Sequence, residues 1–255
     1  MQQIKFSVVI PAINNNNFLL KCLEYLNNQE FKNFEVILIS ENNLQDIDKK
    51  NYFYNLRIFK EMILNPGEKR NFASSQSNGE YLCFIDDDAF PKSNWLTIAN
   101  DNLNNNKILI GGPGILPSDD NFFSKVSNLF FCSLFLGSSK SRYLSLKSYQ
   151  RKNFDDWPSV NMIIRKSEFM SISGFNTKYW PGEDSKLCLK YINDGGQIVY
   201  IPDLIVYHYR RSSFLKHFKQ LFRYSYTRGI FFQKGDINSR KIIYMLPSVF
   251  LIYLF

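Results

Sequence analysis

Three consecutive aspartates, Asp86, Asp87 and Asp88, directly follow the short apolar run Tyr81–Ile85. The run is rich in β-favouring residues and is bounded by turn residues, which predicts a buried strand. Three like charges at the end of one strand repel each other unless a cation neutralises them. Carboxylate oxygens are hard ligands, so a bound Mn²⁺ or Mg²⁺ fits best. A solvated acidic turn is the alternative that this motif alone leaves open.

Strand and helix signals alternate along the chain. The apolar runs predict strands at Phe6–Pro11, at Phe34–Ile39 and, interrupted by Pro202, at 197–206; helical spacing predicts helices at Phe18–Asn28 and Lys69–Asn78. This β-α-β order predicts an α/β fold with a mostly parallel sheet flanked by helices. Ligands of such sheets bind at the carboxyl ends of the strands, where Glu41 and Asp86 lie.

A second acidic motif, Glu183-Asp184, follows a turn about a hundred residues further along the chain. The residues after it have helical spacing, so we expect a helix with Asp184 or Ser185 as N-cap that ends at Gly195-Gly196. Acids in a first turn often only complement the helix dipole. Beside a metal site, one of them could instead act as a general base.

The 255 residues are 45% hydrophobic and carry a net charge of +8. That length predicts one catalytic domain, which we place at residues 1–207. Between Arg210 and Lys241 the chain has nine Lys or Arg residues and one acid, Asp236. Such a stretch can be a solvated helix face, or it can bind nucleic acid or an anionic membrane. We assign residues 208–241 to a basic helical extension that completes the active site and faces the membrane.

The final segment, Ile242–Phe255, is uncharged and almost wholly apolar. Its fourteen residues are fewer than the roughly 20 that a spanning helix needs, so it is predicted to be a truncated span or an in-plane anchor. An apolar segment directly after the basic stretch favours a membrane over nucleic acid, and the basic flank is expected on the cytoplasmic side. The N-terminus offers no secretory signal, and the four cysteines are scattered, which predicts buried thiols. We expect a cytoplasmic protein, peripheral to or anchored at the inner face of the cell membrane.

Together these motifs resemble glycosyltransferase family 2, over essentially residues 5–230. The matching segments follow the order in which the family has them: Ser7–Pro11, Glu35–Ile39, Arg70-Asn71, Phe84–Asp88, Ser173–Phe175, Gly182–Asp184, and Val206–His208 followed by Arg210-Arg211. The resemblance implies the GT-A fold, which is a Rossmann-like sheet. It also implies transfer of a sugar from a nucleotide-diphosphate donor to a hydroxyl, usually with inversion at the anomeric carbon. The acceptor it implies is a saccharide or a lipid-linked molecule, in cell-surface polysaccharide or glycolipid synthesis.

The resemblance also implies roles for individual residues. Asp88 and Asp86 would hold Mn²⁺ or Mg²⁺, with His208 as a third ligand or as a contact to the diphosphate. Asp184 would be the catalytic base, and Glu183 would orient the acceptor or Asp184. The donor nucleotide would contact a wider set of residues: Pro11, Glu41, Arg70, Asp86, Asp87 and Arg211.

Two assignments stay open. Glu41 stands where the family more often has an aspartate, so the contacts to the base and ribose are less certain than the metal site. Arg210 and Arg211 could bind either the donor diphosphate or anionic lipid headgroups.

Residues 122–136 form an apolar segment whose apolar face is wider than a simple amphipathic stripe. Core packing is the default expectation, and a seat for a lipid-linked acceptor at the membrane surface is the alternative. The large apolar residues of this segment are Phe122, Phe123, Val126, Leu129, Phe130, Phe131, Leu134 and Phe135.

Two further functions compete with the transferase. A nucleotidyltransferase would also use aspartates and a divalent ion on an α/β sheet, but it leaves the Glu183-Asp184 motif and His208 unexplained. A non-catalytic protein that only binds nucleotide or glycan is compatible with the atypical Ser40-Glu41, whereas intact carboxylates at Asp86, Asp88 and Asp184 argue against it.

Overall fold

The computed structural model describes residues 3–44, 47–62, 65–103, 107–132 and 140–240. These residues form eleven strands: β1 Phe6–Ala12, β2 Phe34–Ser40, β3 Asn55–Lys60, β4 Tyr81–Phe84, β5 Ala89–Pro91, β6 Ile108–Gly111, β7 Gly114–Ile115, β8 Asn153–Phe154, β9 Met162–Arg165, β10 Gln197–Tyr200 and β11 Val206–His208. They also form seven α-helices: α1 Asn17–Asn27, α2 Pro66–Gln76, α3 Trp95–Asn102, α4 Phe122–Cys132, α5 Lys166–Ser171, α6 Glu183–Asn193 and α7 Phe214–Gln233.

Eight of these strands form the main sheet, in the order β3-β2-β1-β4-β9-β6-β10-β8. The first four are parallel to each other, and β9 is antiparallel to both of its neighbours, β4 and β6. A second, three-stranded sheet has the order β5-β11-β7. The mostly parallel α/β architecture predicted from the sequence is therefore confirmed.

The central strands are buried on both faces because helices cover the sheet on either side. Every residue of β2 and β4 is buried. Successive side chains alternate between the two faces. Val8 and Ile10 therefore belong to one hydrophobic cluster, while Val9 between them belongs to the other. This double burial explains why the strands appear in the sequence as continuous apolar runs.

The helices predicted in the N-terminal half are confirmed, with one shift in position. Helix α1 begins after Asn16, whose side chain accepts hydrogen bonds from two backbone N–H groups of the first turn. Helix α2 begins at Pro66 rather than at Lys69, because Asn65 caps it and proline suits the first helical position. All four cysteines are free thiols, as predicted, and Cys132 is only partly buried.

The N-cap of α6 differs from the prediction. Gly182 occupies this position with a φ of 122°, whereas Asp184 and Ser185 lie inside the helix. A backbone with this φ suits glycine, which has no Cβ to clash. The predicted cap was wrong because the Asp184 carboxylate faces the interior rather than the helix end. The helix ends at Asn193, close to the predicted glycine stop.

The strand predicted at 197–206 is two strands in two different sheets. Residues 197–200 form β10 in the main sheet, and the chain turns at Pro202 before β11 begins in the small sheet. Proline cannot donate to a strand ladder, which explains why the first strand ends before it. The turn directs the end of β11, His208, towards the carboxyl end of β4.

The buried side chain of Asn161 joins the two sheets. Its Nδ2 donates to the carbonyl oxygens of Leu204 at 2.7 Å and Pro113 at 3.3 Å, which precede β11 and β7. Its Oδ1 accepts a hydrogen bond from Trp95 Nε1 at 3.0 Å. All the polar atoms of this side chain are therefore used in positioning the small sheet.

We predict that Asn161→Ala lowers the free energy of unfolding by about 3 kcal/mol, because it leaves the buried Trp95 Nε1 donor and the Leu204 carbonyl without partners. Urea unfolding of the full chain measures this change. Asn153→Ala, at an exposed position of the edge strand β8, is the matched control and should change stability by less than about 0.5 kcal/mol. Equal stability losses in the two variants would contradict the role of Asn161.

Core packing was the default expectation for the apolar segment at 122–136, and it is wrong for one face of α4. Phe122 is 81% exposed and Leu129 is 70% exposed, whereas Ser124 and Ser127 are buried. Leu134 and Phe135 lie outside the described residues, and the side chain of Phe130 is not described either. The predicted apolar tail at 242–255 lies outside them as well. None of the described helices combines the length and the hydropathy that crossing a membrane requires.

Candidate active site

The candidate active site lies at the carboxyl ends of the parallel strands. Glu41 directly follows β2, and Asp86 to Asp88 follow β4, with β1 between the two strands. Helix α2 packs against β1 and β2, and it places two consecutive basic side chains, Lys69 and Arg70, over this edge. Both are buried. The arrangement matches the edge at which the sequence predicts a ligand site.

Asp86, Asp88 and His208 form an acidic cluster at this edge. One potential ligand atom from each of the three lies within 4.8 Å of the others. The backbone creates the cluster, because His208 is paired with Ala89 in the small sheet and the Tyr209 N–H donates to the Asp88 carbonyl at 3.1 Å. Two carboxylates and one imidazole are a suitable donor set for a divalent ion such as Mn²⁺. The residues present therefore fit the predicted metal.

The Asp88 carboxylate is contacted by a histidine and an arginine. Its Oδ1 lies 3.2 Å from His208 Nε2, and its Oδ2 lies 3.7 Å from Arg211 Nη1. Burial by itself raises the pKa of this carboxyl, but His208 and then Arg211 outweigh burial and hold the pKa below its ordinary value. Asp88 is therefore ionised near neutral pH, as ligation of a cation requires.

Arg210 orients the His208 ring. Its Nη1 lies 3.1 Å from His208 Nδ1, and its Nη2 donates to the Gly114 carbonyl at 2.8 Å. Because a guanidinium can only donate, His208 Nδ1 is the acceptor and Nε2 carries the proton in this arrangement. His208 therefore presents an N–H donor to Asp88, and the same group suits a phosphate oxygen. Ligation of a cation through Nε2 requires Arg210 to release Nδ1.

Arg70 connects the acidic cluster to the second acidic motif. Its Nη2 lies 2.6 Å from Asp86 Oδ1, and its Nη1 lies 3.4 Å from Glu183 Oε1. Burial lowers the pKa of this guanidinium, but Asp86, Asp184 and Glu183 together raise it. Arg70 thus serves here as a buried cation between two sets of carboxylates, so its predicted position near the donor is compatible with the geometry.

Two sequence motifs meet directly beside Arg70. Asn71 Nδ2 donates to the Phe175 carbonyl, and Asn71 Oδ1 accepts from the Phe175 N–H, both at 2.9 Å. The Arg70 guanidinium lies 5.5 Å from the Phe175 ring centroid. Residues 70–71 and 173–175 therefore act together to hold the Arg70 side chain in place.

Asp184 is a half-buried residue in the first turn of α6. Its Oδ2 accepts from the Ser159 N–H at 3.1 Å, and its Oδ1 makes no hydrogen bond to any of the described residues. Burial and then the neighbouring Glu183 raise the pKa of Asp184 to about 7, against the opposing effect of Arg70. One oxygen is anchored, and the other is shielded from solvent and has no partner among the described residues, which leaves it to accept a hydrogen bond from a bound hydroxyl.

Glu183 is buried, and its pKa is raised by burial despite the nearby Arg70. Its Oε2 accepts from the Gly182 N–H at 3.0 Å. This bond, together with the Arg70 contact, fixes its side chain beside Asp184. Glu183 is thus held in place by the fold rather than free to move.

The remaining donor-site predictions lie around the ends of β1 and β2. Glu41 is paired with Lys69 at 2.6 Å, and the same ammonium donates to the Ala12 carbonyl at 2.8 Å. Pro11 lies next to Ala12 in β1. Asp87 is half-buried beside the Ile13 backbone, and desolvation, then Asp88 and Asp86, raise its pKa to about 7. Sequence analysis missed Lys69, whose position next to Arg70 in α2 was the available signal.

We predict a pH-dependent stability difference between wild type and Asp184→Asn in the absence of metal. The folded state holds the Asp184 proton more tightly than the unfolded chain, in which the pKa is near 3.8. This stabilising contribution is therefore complete below about pH 4 and is lost as the pH rises through about 7. Asparagine keeps an acceptor for the Ser159 N–H and carries no charge, so the variant should gain stability relative to wild type with rising pH.

Urea unfolding in EDTA at about pH 5 and about pH 8 measures the difference. Asp101→Asn, at an exposed position of α3, is the control that should show no such trend. A difference that is equal at the two pH values would contradict the proton-holding state of Asp184.

The comparisons with known proteins agree with this geometry. Residues 7–169 match the family model described as glycosyl transferase family 2. The chain is 24% identical over 97% of its length to a Methanococcus voltae protein and covers 79% of it. That relative is a dolichyl N-acetyl-alpha-D-glucosaminyl phosphate 3-beta-D-2,3-diacetamido-2,3-dideoxy-beta-D-glucuronosyltransferase. The GalNAc(5)-diNAcBac-PP-undecaprenol beta-1,3-glucosyltransferase of Campylobacter jejuni is 25% identical over 70% of this chain, which covers 57% of that protein.

Two solved structures share the fold. Staphylococcus aureus TarS 1-349 in complex with UDP-GlcNAc has a TM-score of 0.59 and 21% identity, over 82% of this chain and 59% of that chain. GalNAc-T7 with UDP, GalNAc and Mn²⁺ has a TM-score of 0.61 and 14% identity, over 82% of this chain and 44% of that chain. The chain thus spans less than two thirds of both structures. The predicted GT-A fold is confirmed.

Proposed function

The chain belongs to glycosyl transferase family 2 and is a glycosyltransferase, and we propose that it is a metal-dependent, inverting enzyme that uses a UDP-sugar. The observation that carries this proposal is the position of Arg70. It contacts the acidic cluster through Asp86, and it contacts Glu183, the neighbour of Asp184. A donor diphosphate at the cluster and an acceptor hydroxyl at Asp184 would meet across this arginine.

The donor side of the site is positively charged around its carboxylates. Asp86 and Asp88 would hold Mn²⁺ or Mg²⁺, and the ion would supply Lewis-acid assistance to the leaving diphosphate. His208 completes the ligand set or donates from Nε2 to a phosphate oxygen. Arg211, which is half exposed beside Asp88, contributes a second donor to the same phosphate group.

The nucleoside lies over the ends of β1 and β2. Glu41 and Asp87 offer carboxylate oxygens to ribose hydroxyls or to the base, and Pro11 lines the floor beside them. Lys69 keeps Glu41 in place through their 2.6 Å ion pair. The two solved structures with the same fold are complexes with UDP-GlcNAc (TarS) and with UDP (GalNAc-T7). This supports a uridine diphosphate as the leaving group here.

Asp184 acts as the general base. Its free Oδ1 takes the proton from the acceptor hydroxyl as that oxygen forms its bond to the anomeric carbon. The bond between the anomeric carbon and the diphosphate oxygen breaks in the same step, and its electron pair leaves with UDP. Attack on the face opposite the leaving group inverts the anomeric configuration. Glu183 orients Asp184 without taking part in the transfer.

A lipid-linked saccharide is the proposed acceptor, and an anionic membrane at the cytoplasmic side is the proposed place of reaction. The Methanococcus relative is named for a dolichyl phosphate-linked sugar and the Campylobacter relative for an undecaprenol diphosphate-linked one. This supports a role in cell-surface polysaccharide or glycolipid synthesis. A nucleotidyltransferase does not account for family membership, and a purely binding protein does not account for the free oxygen of Asp184.

We predict that Asp184→Asn lowers kcat by about 10²- to 10⁴-fold and leaves donor binding intact, because the amide cannot accept the proton. Release of UDP from a panel of UDP-sugars, with Mn²⁺ and lipid-linked acceptor, measures turnover, and titration calorimetry measures donor binding. Asp101→Asn should retain wild-type turnover. Undiminished turnover in Asp184→Asn would exclude this residue as the base.

We predict that Asp88→Asn weakens UDP binding about tenfold or more in Mn²⁺, since it removes one anionic ligand of the cation. In EDTA, wild type and variant should bind UDP with similarly low affinity. Calorimetric titration of UDP into each protein, with either Mn²⁺ or EDTA, provides the comparison. Wild-type affinity that is the same in Mn²⁺ and EDTA would refute the metal site.

A further inference from the structure

Two neighbouring helices, α4 and α7, leave their large apolar side chains exposed. On α4 these are Phe122, Val126 and Leu129; on α7 they are Phe214, Leu215, Phe218, Phe222 and Tyr226. The α4 residues share one helix face, as do Phe214, Phe218, Phe222 and Tyr226, which follow each other at intervals of four. Such a concentration of exposed apolar residues on one part of a protein is typical of an interaction site. We call these eight residues the apolar surface.

The exposure is not a result of poor packing, because the opposite faces of both helices are well packed. Ser127 Oγ lies 2.7 Å from His217 Nδ1, and both side chains are buried. The Phe131 ring lies 5.2 Å from the His217 ring, centroid to centroid. Each helix therefore has a defined inner face, and the apolar surface is the outer one.

The same helices carry only positive charge. Neither Phe122–Cys132 nor Phe214–Gln233 contains an acidic residue. Lys125 on α4 and Lys216, Lys219 and Arg223 on α7 are exposed. The three α7 cations follow each other at intervals of three and four residues. They form a row beside the apolar residues of the same helix. Apolar and aromatic residues next to a row of cations are the composition of a helix that lies in the surface of an anionic bilayer.

The inner faces of α4 and α7 also border the candidate active site. A cavity beside the acidic cluster is lined by His208 and Arg211, by Phe131 of α4, and by Gln220 and Tyr224 of α7. A molecule whose lipid part lies in a membrane against the apolar surface would therefore have its head group next to this cavity.

We propose that the apolar surface of α4 and α7 docks the protein onto an anionic lipid bilayer, with α7 lying in the plane of the interface. The proposal extends the proposed function, since it names the surface through which a lipid-linked acceptor is reached. A second copy of the chain is a poorer occupant, because an isologous contact would bring two basic rows together without any acid to pair with them.

The test is co-sedimentation of the full chain with vesicles of equal parts phosphatidylglycerol and phosphatidylcholine, or of phosphatidylcholine alone. Wild type should bind the anionic vesicles, and more weakly at high salt. Phe218→Ser with Phe222→Ser should reduce partitioning at least about tenfold on the anionic vesicles. Lys216→Glu with Lys219→Glu should reduce it about tenfold on anionic vesicles and leave the weak binding to neutral vesicles unchanged.

Matched controls replace equally exposed residues elsewhere. Met62→Ser with Met170→Ser controls for loss of apolar area, and Lys49→Glu with Lys50→Glu controls for charge reversal, since all four residues are exposed. Both control pairs should bind vesicles like wild type. Binding that is unchanged in the α7 variants would overturn the proposal, and so would wild-type binding to single-stranded DNA instead of vesicles. Dimerisation in solution that depends on Phe218 and Phe222 would overturn it as well.

A separate readout distinguishes failure of this proposal from failure of the proposed function. Phe218 and Phe222 have no part in the transfer chemistry, so Phe218→Ser with Phe222→Ser should release UDP from a soluble UDP-sugar and acceptor at the wild-type rate. Its turnover of a lipid-linked acceptor embedded in anionic vesicles should fall about tenfold, in parallel with binding. Equal losses with soluble and vesicle-embedded acceptors would refute a docking role. Vesicle binding without any UDP release in wild type would refute the transferase mechanism alone.

Discussion

The ion pairs of Arg70 hold the two halves of the site together. A buried guanidinium lies between Asp86 at the end of β4 and Glu183 at the start of α6, which are almost a hundred residues apart in sequence. Without it, the buried Glu183 and the half-buried Asp86 and Asp184 would have no compensating charge from this side chain, which is costly where water is largely excluded. The rigid, planar fork of arginine makes both contacts at once, as the single ammonium of lysine could not. Arg70 thus links the acidic cluster to the helix turn that carries Asp184, the proposed base.

A second constraint is the passage of the chain from the main sheet to the small one. The turn at Pro202 ends β10, and Asn161 ties the segments before β7 and β11 to the interior through two carbonyl oxygens. As a result β11 pairs with β5, and His208 lies opposite Ala89, directly after Asp88. The cluster is therefore a consequence of strand pairing. Arg210 then sets which nitrogen of the His208 ring carries its proton.

Helix α7 combines two roles because its two faces have different chemistry. Its inner face provides His217 for packing against α4 and Gln220 for the cavity beside the cluster. Its outer face carries phenylalanines and lysines with no acid among them. A helix that borders the catalytic cavity on one side and an anionic bilayer on the other would bring a water-soluble donor and a lipid-linked acceptor to the same place.

The sequence alone determined the α/β fold and the strands that end in carboxylates, because double burial produces continuous apolar runs and parallel strands end at a common edge. Several features were decided only by the tertiary structure. Gly182 rather than Asp184 caps α6, Lys69 is buried against Glu41, and the outer faces of α4 and α7 are exposed. Each of these depends on what a residue meets across the fold. Local pattern records the periodicity and polarity of a segment, but it contains no information on which distant residues neutralise a charge or cover an apolar face.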